Sequence, residues 1–287
     1  MPLCFFVSDL HGKITRYNTL FKKILAEKPK AVFLGGDLLP SGLYSFTSSP
    51  EVPADFIDFF LQNLRELKSE MGDDYPHIFT ILGNDDGRAI EFEFIKADLE
   101  GLFAYVHNKK VQFYNSSVYG YAYIPPSPFM LKDWERYDVS QYVDPGCVAP
   151  EDGSFSIETD KKLNKYKTIK KDLDKLSGAD DLSKSIFLFH SPPYKTNLDR
   201  AALDGKMIDH VPLDVHIGSI AIKRFIEERQ PYITLHGHVH ESTALTANWK
   251  EYIGKTLAIN AAHNGPELSL IRFELDTPDK ASRELIY

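Results

Sequence analysis

The stretch Leu3-Cys4-Phe5-Phe6-Val7-Ser8-Asp9-Leu10-His11-Gly12 passes from an apolar run into a polar cluster, and together with the residues up to Asp37 it decides the fold class. Ile14, Tyr17, Leu20, Phe21, Ile24 and Leu25 recur at three- and four-residue spacing, the period of a helix with one buried face, and Pro29 stands where that helix has already ended. A second apolar run, Ala31 to Leu34, then opens onto Gly35-Gly36-Asp37. Strand, helix, strand is the repeating unit of an α/β protein. Outward along the chain, His77 to Leu82, Ser185 to Phe189, Tyr232 to Leu235 and Leu257 to Ile259 are further short apolar runs bounded by polar turn residues, and they read as buried strands. Helical spacing in Phe56, Phe59, Phe60, Asn63, Leu64 and Leu67 precedes the third run, and Phe92, Ile95 and Leu99 come after it.

From about Phe113 to Asp160 the pattern changes. Alternating tyrosines give way to Pro125, Pro126 and Pro128, then to aromatic and charged residues without helical period, so strands followed by an insertion at about 124–160 are expected. Lys161 to Lys175 is rich in lysine, yet Leu163, Tyr166, Ile169, Leu173 and Leu176 fall on one face, and a single solvated amphipathic helix is the reading. No repeat or linker divides the chain, so one domain over 1–287 is expected.

Composition narrows the function classes. A chain of 287 residues can bury a substantial core. With 33 basic against 41 acidic residues its net charge is −8, which argues against a surface built to grip extended nucleic acid. Two cysteines, Cys4 and Cys147, exclude a disulfide framework and suit a reducing compartment. The apolar opening run has no basic stretch before it and is too short for a signal core or a membrane span. A soluble cytoplasmic protein without a membrane partner is the expectation.

Polar clusters follow five of the apolar runs, and α/β proteins build their sites at strand ends. In Ser8-Asp9-Leu10-His11-Gly12 an oxygen and a nitrogen donor lie two residues apart and could share a cation, although Asp9 also suits a helix cap. Gly35-Gly36-Asp37 allows close backbone approach and offers a carboxylate able to bridge two cations, with a plain turn as the alternative. Gly83-Asn84-Asp85-Asp86-Gly87 by itself resembles a tight turn. His190 ends a run before Ser191-Pro192-Pro193, where a structural histidine is the simpler reading. His236-Gly237-His238-Val239-His240 places three imidazoles within five residues and reads as metal ligation even alone.

Taken in order, D-x-H, G-G-D, G-N-x-D, H-S-P-P and G-H-x-H resemble the calcineurin-like metallophosphoesterase superfamily, in particular its class III phosphodiesterase-like members. The resemblance spans Asp9 to His240. It implies the metallo-dependent phosphatase fold, an α/β four-layer α/β/β/α sandwich of two mixed sheets flanked by helices, with two divalent metals at the strand ends. Carried over position by position, Asp9, His11 and His240 would hold one metal, Asn84, His190 and His238 the other, and Asp37 would bridge them. Mixed nitrogen and oxygen donors suit Mn, Fe, Zn or Ni. The implied activity is a phosphoric ester hydrolase in which a metal-bridging hydroxide attacks phosphorus. Two dications against Asp9 and Asp37 leave a local charge of about +2, which suits a small phosphate ester, such as a nucleotide, as substrate.

The departure lies at Asp85, where many members carry the histidine that protonates the leaving group. Asp has an ordinary pKa of about 3.9 and two nearby cations lower it further, so Asp85 would be ionised and would repel a phosphate dianion. Phosphodiesters are therefore expected over monoesters. His236 is the reserve proton donor, with a structural role at the strand end as the first reading, and Arg88 is a candidate phosphate contact. The insertion, with Phe129, Trp134, Arg136 and Tyr137, is either a packed loop or a rim that selects substrate. His263 reads as a turn residue. The rival readings are a phosphomonoesterase, including a phosphoprotein phosphatase, and a catalytically silent binding scaffold on the same fold.

Overall fold

The computed structural model describes residues 2–41 and 56–287. Strands β1 (Leu3–Val7), β2 (Ala31–Gly35), β3 (His77–Ile81), β4 (Ala104–Tyr105), β5 (Lys110–Phe113), β6 (Ser116–Tyr121) and β7 (Ser185–Phe189) make up the first two thirds of the chain. The hairpin β8 (Met207–Ile208) and β9 (Val211–Pro212) comes next, then β10 (Ile233–His236), β11 (Lys250–Ile253), β12 (Thr256–Asn260), β13 (Leu268–Glu274) and β14 (Ser282–Ile286). The helices are α1 (Ile14–Glu27), α2 (Phe56–Met71), α3 (Glu91–Leu99), α4 (Lys161–Asn164), α5 (Ile169–Ser177), α6 (Ile220–Arg229) and α7 (Ser242–Thr246).

Two six-stranded mixed sheets, flanked by helices, form the body of the molecule, ordered β14-β13-β1-β2-β3-β4 and β11-β12-β10-β7-β6-β5. In the first, β1 to β4 run parallel, and β13 and β14 add antiparallel to the β1 edge. In the second, β6, β7, β10 and β12 run parallel between the antiparallel edge strands β5 and β11. The parallel strands are buried end to end, which is why they read as continuous apolar runs. Parallel pairing also puts the C-terminal ends of β1, β2 and β3 at one edge of the first sheet, and those of β7 and β10 at one edge of the second.

One hydrophobic cluster runs through both sheets and their helices. Tyr17 of α1 packs edge-on against Phe56 and Phe60 of α2, so the stripe seen in the sequence is the face these helices bury. Among the described residues no helix is long and apolar enough to cross a membrane.

One reading needs amendment, and the structure adds detail to two other regions. The amphipathic helix expected over 161–175 is two helices: α4 is four residues long, Leu163 and Tyr166 are exposed, Ile169 and Leu173 are buried in the core and Leu176 packs against it. Thr168 separates them because its hydroxyl accepts from Lys171 N and starts α5 afresh. The insertion buries Trp134, Lys132 and Glu135, with a Lys132 Nζ–Glu135 Oε2 ion pair of 2.5 Å inside it, and exposes Phe129 and Met130. Finally, the edge strands β11 and β14 were not legible as apolar runs, since most of their residues reach water, and β13, which lies between β14 and β1, was missed although it is mostly buried, its run being broken by Ser269, Arg272 and Glu274.

Candidate metal centre

The polar clusters at the strand ends are laced together by backbone. Asp9 N donates to Gly36 O at 3.0 Å, His11 N to Asp37 O at 2.8 Å, and Gly12 N to Leu38 O at 2.8 Å. To make these bonds Asp9, His11 and Asp37 adopt left-handed φ of 58°, 48° and 51°, a conformation that costs energy and persists only where the surroundings enforce it. The inaccessible carboxylate of Asp86 joins the next loop, accepting from Leu38 N at 3.1 Å, Leu39 N at 2.8 Å and Gly83 N at 2.9 Å. Burial, then the charge of Asp37, pushes the Asp86 carboxyl above its ordinary range despite those three bonds. Gly83 must be bare, because a Cβ there would lie 2.3 Å from Asp37 Oδ1 and 2.7 Å from the His190 ring.

Onto this frame the side chains converge in two groups. Asp9, His11, Asp37 and His240 each present one donor atom, all within 4.8 Å of one another, and Asp37, His190 and His238 do the same. Asp37 belongs to both. In the first group His11 Nε2 and His240 Nε2 lie 3.0 Å apart, and His240 Nε2 lies 3.0 Å from Asp9 Oδ1. In the second, His190 Nε2 lies 3.0 Å from Asn84 Oδ1 and 3.3 Å from Asp37 Oδ2, while its Nδ1 meets Gly35 O at 2.8 Å. The Gly35 carbonyl accepts only from a protonated Nδ1, so it leaves His190 Nε2 to point inward as a donor. His238 N donates to both Asp9 oxygens at 3.1 Å.

Electrostatics distinguish these groups from ordinary buried residues. Burial opposes the charge on Asp9, yet the hydrogen bond and charge of His240, with His190 and His11, hold its carboxyl well below the usual range. Asp37 is likewise depressed, against burial, chiefly by His190. Burial opposes the His190 charge too, but Asp37 and Asp9 raise its pKa. Burial, then the His190 charge, pushes His238 down to about 3. Two buried carboxylates thus face clustered imidazole nitrogens, a nitrogen and oxygen set suited to divalent transition ions; the residues present fit two such ions sharing Asp37.

The remaining candidates are placed differently. Asp85 is at the edge of the first group, its Oδ2 3.4 Å from His11 Nδ1 and its backbone N donating to Asp37 Oδ1 at 2.8 Å. Arg88 is held by Glu91 at 2.9 Å and lies 5.3 Å over the Trp134 ring. His236 must be corrected as a reserve proton donor. It is inaccessible, its Nδ1 is 2.9 Å from Ser191 O and its Nε2 2.8 Å from Thr234 Oγ1, and its ring stacks on Phe189. Burial takes its pKa down to about 4, so at neutral pH the ring is uncharged and its one N–H, on Nδ1, is given to the Ser191 carbonyl. His263 pairs with Glu267 at 2.9 Å and belongs to neither donor group.

Sequence reasoning missed Arg16. Its buried guanidinium donates to Asp9 O at 2.6 Å and Gly265 O at 2.5 Å, tying the Asp9 loop to the segment after β12. The available signal was a basic residue in the buried i, i+4 row Arg16, Leu20, Ile24.

The profile of the calcineurin-like phosphoesterase family matches residues 4–242. No curated protein matches the sequence. Among solved structures, the protein TT1561 of Thermus thermophilus superposes with a TM-score of 0.55 at 14% identity, covering 100% of this chain and 99% of that one. A dimetal phosphatase from Danio rerio superposes with a TM-score of 0.51 at 11% identity, covering 94% and 91%. Identities this low speak for the fold alone. The family match, which takes in every donor from Asp9 to His240, goes further: this chain belongs to the calcineurin-like phosphoesterases.

Proposed function

We propose that the protein is a dinuclear metal-dependent phosphoesterase that prefers phosphodiesters, or similar singly charged esters, over phosphomonoester dianions. The observation that carries the dinuclear reading is the sharing of Asp37 between two donor groups. Ions held there, whether Mn, Fe, Zn or Ni, supply activation of water and neutralisation of phosphoryl charge. The chain's own part is to fix the donors. The left-handed turns at Asp9, His11 and Asp37, the Asp86 carboxylate and the Arg16 guanidinium hold them before substrate arrives.

The diester preference rests on Asp85. Its carboxylate stands partly exposed beside the first donor group, where a monoester's second negative charge meets like charge and a diester's single charge meets less. Arg88, a third exposed, is the proposed phosphate contact. A small ester, such as a nucleotide, fits the acidic chain better than extended nucleic acid does. A cytoplasmic setting accords with two unpaired cysteines, Cys4 and Cys147.

The test is to measure bound metal in the purified protein, reconstitute it with manganese, and compare bis(4-nitrophenyl) phosphate with 4-nitrophenyl phosphate. These share a leaving group and differ in charge. Two ions per chain and faster diester turnover are expected. Faster monoester turnover overturns the preference, and two ions without turnover of either ester favour the scaffold reading.

A further inference from the structure

The position of Asp85 raises a question that substrate charge alone does not answer, namely what its carboxylate does before any substrate is bound. Among the described residues it faces no lysine or arginine within ion-pair distance; the basic group it meets is His11, with Oδ2 3.4 Å from Nδ1. The other nitrogen of the same ring, Nε2, points the opposite way, into the first donor group, 3.0 Å from His240 Nε2. An imidazole that ligates through Nε2 must carry its proton on Nδ1, and an acceptor at Nδ1 fixes both that tautomer and the ring plane. In the second donor group His190 has this arrangement, with the Gly35 carbonyl as its acceptor.

We infer that Asp85 is a positioning residue for His11, the acceptor that holds its ring with Nε2 directed at the ion of the first donor group, and that it is not a proton donor to the leaving group. This rests on the dinuclear reading above and assigns Asp85 within it. Three features support the assignment. Asp85 is itself anchored, because its backbone N donates to Asp37 Oδ1 at 2.8 Å, so its carboxylate moves with the shared ligand. His11 sits at a left-handed φ of 48°, its ring meets His240 on the Nε2 side, 3.0 Å away and edge-on, and Asp85 is the polar side chain at Nδ1. A carboxylate behind the ring also makes the ligating nitrogen more basic, which a backbone carbonyl does less well. The two ions would then differ, the one on His11 sitting in the more electron-rich site.

The experiment is a double-mutant cycle read by metal affinity rather than by turnover. Manganese binding to the full-length protein, freed of metal beforehand, is titrated by calorimetry for wild type, Asp85→Ala, His11→Ala and the double variant, with Asp85→Asn as the conservative control. Removing such an outer partner weakens metal binding by about 10- to 100-fold. A loss in that range is expected at one of the two sites in Asp85→Ala, a smaller loss in Asp85→Asn, which keeps an acceptor oxygen, and no further loss when Asp85→Ala is added to His11→Ala. The melting temperature of the metal-free Asp85→Ala protein should stay near that of wild type, because a partly exposed pair contributes little to folding. Unchanged affinity, equal weakening of both sites, or additive losses in the double variant each overturn the assignment. Failure of the wild type to bind two ions counts against the dinuclear reading instead, so the two can fail separately.

Discussion

His236 illustrates how a histidine beside a metal motif can serve the fold. Its ring lies between strand ends, bonded to the Ser191 carbonyl and the Thr234 hydroxyl, and is neutral because burial lowers its pKa to about 4. In the unfolded chain the same group titrates near 6.5. Between those values the unfolded state binds the extra proton, so stability from this residue is complete above 6.5 and is lost as pH falls toward 4. At about 1.4 kcal/mol per pKa unit the loss is of the order of 3 kcal/mol. Urea unfolding of the metal-free protein at about pH 7 and about pH 4.5 is expected to show a slope to which the buried His238 and His107, also depressed, contribute, and His236→Asn to make it shallower; an equally steep slope in the variant means the protons go elsewhere.

At the scale of elements, the insertion and the second sheet meet at the start of α6. Asp138 accepts from the Ser219 hydroxyl at 2.6 Å, Ile220 N at 2.6 Å and Ala221 N at 3.1 Å, while Ser219 itself accepts from Ile222 N at 3.0 Å. The helix start is capped twice, once locally and once from a residue about eighty positions earlier. Removing a cap costs about 1–2 kcal/mol, and here the loss also unties the insertion from the start of α6. Asp138→Ala is expected to lower stability by about that amount and to increase proteolytic cleavage within 124–160. Destabilisation without easier cleavage would show that the insertion is held chiefly by Trp134, whose Nε1 donates to Asp86 O at 2.7 Å.

For the molecule as a whole, the two sheets come together where the donor groups lie, since the His190 ring from the second bonds to Gly35 O in the first. Ions bound there draw on residues of both sheets and so hold the sheets to one another. A ligand present at about a hundred times its dissociation constant adds about 2.7 kcal/mol to stability, worth roughly 5 °C or more in a chain of this size. Manganese is therefore expected to raise the melting temperature of chelator-treated protein by at least that margin. The rise should vanish in Asp37→Asn, in which the shared ligand is lost; a melting temperature indifferent to manganese in the wild type would mean the site does not bridge the sheets.

What the sequence by itself determined was local and periodic. Uninterrupted apolar runs marked buried parallel strands and helical spacing marked α1 and α2, because burial on both faces and one-sided burial leave regular traces along a chain, and the order of polar clusters between Asp9 and His240 marked the family; the row Phe92, Ile95 and Leu99 located α3 but not its buried face, since all three are exposed and the helix buries Phe94 and Ala97. Tertiary structure alone decided everything that depends on residues far apart in sequence. It sent His236 inward to Ser191 and Thr234 while its neighbours His238 and His240 faced the donor groups, set Arg16 behind Asp9, and brought Asp85 to the back of the His11 ring. Those contacts join groups far apart along the chain: His236 to Ser191 over 45 positions, Arg16 to Gly265 over 249, and the Asp85–His11 ion pair over 74, each chosen by how two sheets and their loops pack, and a polar side chain's role follows from which partner it finds.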